Sequence, residues 1–203
     1  MVLDMVVWRA LKLWWREWIG ILFLNLVWVL LLLPLVTAPP ATAVFFAVCK
    51  KMVDGDPWDL QDLLPLVRQL FFPAWKWALP NLLFAGVTAV NFIAYQSFDG
   101  LGWIALRAFW GMLTFFWLLL NLFYWPFWLN QEEKGVYLTY SNAARFLLKQ
   151  PGTAVLVTLL SITVVGASLQ IVFPLTIGLI GWIMLLGLTT VQDSLTLQKK
   201  KSA

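Results

Sequence analysis

The chain has 203 residues, 62% of them hydrophobic and 12% charged, with a formal net charge of +4 and a mean hydropathy of +0.82. Soluble domains run nearer half apolar and a quarter charged, so this composition excludes an ordinary soluble domain and predicts one bundle solvated by lipid. The absence of His and the single Cys, Cys49, exclude an intrachain disulfide framework, a zinc site of ordinary His/Cys spacing and a histidine-based nucleophile system.

Residues 1–18 come first. Arg9, Lys12 and Arg16 fall within about 60° of one another on a helical wheel, with Trp and Val around the rest. This pattern predicts an amphipathic helix lying on the membrane. Residues 19–36 are a long apolar run with one strongly polar member, Asn25. A bilayer core of about 30 Å takes roughly 20 apolar residues in helix, so this run predicts the first span. The basic lead and Ala41-Thr42-Ala43 mimic a secretory signal. Asp4 and Glu17 in the lead, and the charge pattern below, favour an uncleaved span.

A helix break follows. Pro34 removes a hydrogen bond and ends or kinks the first span. Pro39 and Pro40 suit the first turn of a new helix. The Thr37 and Thr42 hydroxyls are placed to satisfy part of the backbone between. Pro34, Thr37, Pro39, Pro40 and Thr42 read either as a rigid hairpin corner or as a broken helix lining a substrate site. The helix at 39–52 is about 21 Å long and crosses as a short second span if Lys50 and Lys51 snorkel.

Residues 56–72 open on Asp56-Pro57-Trp58-Asp59, an N-cap followed by proline. Leu60, Leu63, Leu64, Val67, Leu70 and Phe71 form one stripe, with Asp59, Gln61, Asp62 and Gln69 opposite. This predicts a second interfacial amphipathic helix. Further spans are predicted at 76–98, 103–129, 152–169 and 171–191. The expectation is an all-α polytopic membrane protein, one domain over 1–203, with six spans in three hairpins.

Charge supports this threading. With a cytoplasmic N-terminus and six crossings, every basic residue except Arg107 falls inside, including Lys76, Lys134, Arg145, Lys149 and the tail Lys199–Lys201. The outside receives Asp99 and uncharged turns near Ala38 and Gln170. The positive-inside rule therefore places both termini in the cytoplasm. The basic tail reads as a contact with an anionic leaflet, not with nucleic acid.

Polar residues inside spans are costly, so their spacing is informative. Asn81, Thr88 and Tyr95 recur every seven residues in the third span, as do Arg107, Thr114 and Asn121 in the fourth. Antiparallel pairing puts Tyr95 beside Arg107, Thr88 beside Thr114 and Asn81 beside Asn121. Asp99 is the expected partner of Arg107, by pairing or shared water. Ala154, Thr158, Ser161 and Ser168 share a face of the fifth span. These stripes serve either as interhelical contacts or as a narrow polar path for a solute. Trp103, Trp110 and Trp117 also recur every seven residues, and most of the 14 Trp are expected in lipid-facing packing and interface belts. Trp75, Trp77, Trp125 and Trp128 belong to the cytoplasmic belt.

The run Asn25-Leu-Val-Trp28, then Leu33-Pro34-Leu-Val-Thr37-Ala-Pro39-Pro40-Ala41-Thr42-Ala43, closing on Lys50-Lys51, resembles the YesL-like family of bacterial membrane proteins, which carry a domain of unknown function. The 56–72 segment stands where that family has an amphipathic segment. Asn142-Ala-Ala-Arg145, taken as a loop, is compatible with it. The resemblance implies the bacterial cytoplasmic membrane and an accessory role beside carbohydrate import systems, with importer subunits as partners. It brings no catalytic residues.

The spans hold no Asp, Glu, His or Cys except Cys49, and no phosphate-binding glycine motif is present. No catalytic, cofactor-binding or metal-ligating set is expected. The expected function is that of a non-enzymatic accessory membrane protein; a small-solute channel or transporter between spans three and four is the alternative.

Overall fold

The computed structural model describes residues 2–171 and 173–202, with side chains at 5–167, 178–198 and 200. Among these residues it is all-helical. Helix α1 (Val2–Arg16) turns by 85° at Glu17 into α2 (Trp18–Leu32). Then follow α3 (Ala38–Asp54), a 3-10 turn at Leu60–Asp62, α4 (Leu63–Tyr95), α5 (Leu101–Asn130), α6 (Val136–Lys149), α7 (Pro151–Ile171) and α8 (Phe173–Ser202). Helices α6 and α7 meet at 107°. Three helices are long and apolar enough to cross a membrane (Leu60–Tyr95, Leu101–Asn130 and Gly178–Gln198), or up to five if each bent pair counts as one.

Helix α3 is the core. Pro39 through Cys49 are buried except Thr42, and Val48 and Cys49 have no exposure at all. The reason is position: α2, α4, α5 and α8 all pack on it, so a helix apolar on every side is covered on every side. The first break forms as its prolines dictate. Helix α2 ends at Leu32, ahead of Pro34, and α3 starts at Ala38 with proline in its first turn. The Thr37 hydroxyl donates to Leu31 O at 2.6 Å, and the Thr42 hydroxyl to Ala38 O at 3.0 Å. Trp28 Nε1 donates to Thr42 Oγ1 at 2.9 Å, clamping α2 to α3.

The 56–72 segment departs from expectation. The cap is Asp59, reciprocally bonded with Asp62 in a capping box, and Pro57 stays outside the helix. Helix α4 then runs on through Pro73 and Pro80 into the third predicted span, 33 residues without interruption. It is not a separate helix. Its first turns return along α3, with Leu70 and Ala74 buried and Lys51 Nζ on Asp62 Oδ2 at 2.8 Å. Of the apolar stripe, expected to face lipid or the bundle, Leu70 is buried while Leu60 and Leu64 are exposed.

This return moves the first hairpin. Trp75 Nε1 donates to Val36 O at 3.2 Å, so the 33–37 turn sits beside Lys76. From Trp75 to Tyr95, α4 extends about 30 Å at roughly 1.5 Å per residue. The turn near Val36 and the turn at Asp99, expected on one side, are thus a bilayer core apart along α4. What stands of the expected arrangement is its coarser part, an all-helical chain with three to five candidate spans.

Polar and charged side chains from distant segments meet around the end of α8. Arg9 Nη1 meets Asp193 Oδ1 at 2.7 Å, Gln192 Nε2 donates to Asp54 Oδ1 at 3.1 Å, and Gln150 Nε2 to Ser194 Oγ at 3.1 Å. Burial, and then nearby Lys50, lower the Lys134 ammonium below the usual lysine range. Helix α1 is therefore not free on a surface: Val6 and Ala10 are buried, and α1 packs on α8, while Trp8 and Trp15 stay exposed.

Two more expectations change. Asn142 to Arg145 are helical, inside α6, rather than a loop. Trp125 and Trp128 are buried instead of belting the surface.

Candidate functional site

The expected polar levels between α4 and α5 divide sharply. At the level of Asn81 and Asn121, hydrogen bonds interlock. Trp117 Nε1 donates to Asn81 Oδ1 at 2.8 Å, and Trp77 Nε1 donates to Asn121 Oδ1 at 2.9 Å. Each asparagine returns an amide N–H to the backbone one turn earlier, Asn81 to Trp77 O at 2.7 Å and Asn121 to Trp117 O at 2.8 Å. Helix α6 joins through Tyr140, whose hydroxyl donates to Asn121 Oδ1 at 3.1 Å and accepts from Asn81 Nδ2 at 3.2 Å. The Tyr140 ring stacks on Trp117, with centroids 5.7 Å apart, and Phe84 stacks on the same indole at 4.6 Å.

Local sequence explains the reciprocity. Trp77 precedes Asn81 by four residues, and Trp117 precedes Asn121 by four. On a helix such pairs share a face, and two antiparallel copies present each Trp to the other's Asn. The duplicated Trp-x-x-x-Asn-Leu pattern was the signal; seven-residue spacing alone missed Trp77. Nothing in the spacing pointed to Tyr140, which arrives from another helix.

The middle level does not form. Thr114 Oγ1 donates to its own helix at Trp110 O, 2.8 Å away, and the buried Thr88 hydroxyl has no partner. Gly111, on the same face, has open space around it.

At the outer level Arg107 does meet α4, but not through Asp99. Its Nη1 donates to Tyr95 O at 2.8 Å and Phe98 O at 3.0 Å. A helix ends with unpaired carbonyls and partial negative charge, and the guanidinium caps that end. Asp99 is exposed, with no ion pair among the described residues. Tyr95 offers its carbonyl here, and its ring packs on Trp103 at 5.1 Å.

In α7, Ala154, Thr158 and Ser161 are all buried, as a close-packing face requires. Gln170, expected in a turn, is helical within α7; the side chains of Ser168, Lys199 and Lys201 lie outside the described residues.

A second polar feature lies where α5, α6 and the end of α8 meet. It is a half-open cavity of about 230 Å³ lined by Phe127, Gln131, Asn142, Arg145, Phe146 and Lys149, with Leu195 and Gln198 of α8 closing one side. Among the described residues no group of three or more His, Cys, Asp or Glu side chains is placed to hold a metal.

These helices and this polar clasp define an all-helical protein with spans suited to a bilayer. No family model, curated protein or solved structure matches the chain.

Proposed function

We propose that this is a non-enzymatic membrane scaffold, an accessory to a larger membrane assembly. The Trp77–Asn121 and Trp117–Asn81 exchange carries this reading. A solute path needs polar groups left free to exchange partners. Here the two asparagine oxygens accept from the facing helix, their N–H groups go to their own helix backbone, and Tyr140 bonds both, which holds α4, α5 and α6 together. Such closure supports packing over conduction. The resemblance in residues 25–52 supports a carbohydrate importer as the assembly. The test is purification in mild detergent followed by identification of co-purifying subunits; retention of importer subunits is expected, and their absence from an intact membrane extract would sink the importer reading.

For the threading we propose four crossings, at 76–98, 101–129, 151–171 and 173–191, with both termini cytoplasmic. Helices α2 and α3 then form a hairpin on the cytoplasmic side, alongside the first turns of α4, and the tip of this hairpin reaches the bilayer surface beside Lys76 without crossing. The Trp75–Val36 bond supports this. So does the apolar turn itself, where Leu33, Leu35 and Val36 are exposed while Thr37 and Trp75 satisfy carbonyls that lipid cannot.

A further inference from the structure

The groove between α5, α6 and α8 is the polar feature that the clasp does not use. On α6, Asn142, Arg145 and Lys149 recur at helical spacing and line it together. Arg145 and Lys149 are exposed, and neither makes a hydrogen bond or ion pair among the described residues. Several cations elsewhere are paired, Arg9 with Asp193, Lys50 with Asp54 and Lys51 with Asp62, whereas Arg145 and Lys149 stand together in one groove with Asn142.

The wall behind them is held in place. Asn142 Nδ2 donates to Gln131 Oε1 at 3.0 Å, Gln131 Nε2 donates to Thr139 Oγ1 at 2.7 Å, and Thr139 Oγ1 donates to Gly135 O at 2.7 Å. This chain leaves Asn142 a second amide N–H. The negative end of α5, which would repel an anion, is already capped: Lys134 Nζ donates to Trp128 O at 2.7 Å. Phe127 and Phe146 form an apolar floor, both nearly fully buried. Glu132 and Glu133 follow Gln131 in sequence but do not line the groove.

We propose that this groove binds a phosphate-bearing anion, held by Arg145, Lys149 and the Asn142 amide. Arginine suits phosphate because its planar donors match the oxygens. Basic pockets between membrane helices take anionic headgroups in the same way. The volume falls below the roughly 300–1,000 Å³ of pockets that enclose a whole ligand, so the site takes a headgroup or a small phosphate compound and leaves the remainder outside.

The test uses the purified full chain in detergent. Phosphatidylglycerol or phosphatidylcholine is titrated in, and retained lipid is counted by native mass spectrometry. In parallel, inorganic phosphate is titrated and thermal unfolding is followed. The variants are Arg145→Gln with Lys149→Gln, Asn142→Leu, and Lys76→Gln, an exposed cation away from the groove. Retention of phosphatidylglycerol over phosphatidylcholine is expected, weakened about tenfold in the double variant and unchanged in Lys76→Gln. That result identifies a lipid headgroup as the source. Saturable stabilisation by inorganic phosphate, lost in the double variant without any lipid preference, supports the site with a soluble source. Equal weakening by Lys76→Gln, or no difference between wild type and the double variant in either arm, overturns the proposal. Weaker binding in Asn142→Leu at unchanged helicity separates a built site from charge alone; no change there counts against it.

Discussion

Asn81 accepts the indole N–H of Trp117 at 2.8 Å, and the mirror-image bond joins Trp77 to Asn121. In lipid an indole N–H without an acceptor has no water to turn to. The two bonds therefore fix the register of α4 against α5, and Tyr140 fixes α6 to both.

Removing Asn121 orphans two donors, the Trp77 indole and the Tyr140 hydroxyl. Asn121→Leu should lower stability by about 1–2 kcal/mol, since interhelical bonds in membranes average about 0.6 kcal/mol and a stranded donor adds its desolvation. Thr114→Val should cost less, because Thr114 bonds only its own helix. Unfolding in mixed detergent micelles measures both, and equal effects would show that the clasp is not what holds these helices.

Accessibility separates four crossings from six. A cysteine at 99 should react with a membrane-impermeant thiol reagent added from outside, and one at 35 should not. Cys49 is buried with no exposure, so the native background is silent. Outside labelling at 35 would restore the six-span threading.

Arg107 tests carbonyl capping against ion pairing. Arg107→Leu should destabilise by no more than about 1 kcal/mol, the scale of a cation at an exposed helix C-terminus. Asp99→Asn should be silent. Matching losses for the two substitutions, seen in thermal unfolding, would mean that the carboxylate is the partner after all.

Gly181 and Gly111 should respond in opposite ways. A Cβ at Gly181 would run into Ile21 and come within 3.2 Å of Phe45 Cζ, whereas one at Gly111 meets nothing within 4 Å. Gly181→Val should cost about 1–3 kcal/mol or more by overpacking, and Gly111→Val little. Comparable melting temperatures for the two variants would contradict the packing of α8 on α2 and α3.

Composition, run length and charge determined what kind of molecule this is: helical, bilayer-suited, with a basic end. They also set the start of α3, because Pro34, Pro39 and Pro40 constrain the backbone locally. They could not decide whether α2 and α3 cross. Charge alternation reports only the parity of crossings, and a hairpin with an uncharged turn conserves parity whether it traverses the bilayer or returns. That question rests on Trp75 meeting Val36, 39 positions away. Asn81 and Asn121 were legible from polar spacing within two helices. Tyr140 was not, since its place in the clasp depends on how α6 folds back on α5. Nor was the groove, whose lining comes from three helices. Periodicity records which residues share a face of one helix, and only packing determines which faces meet.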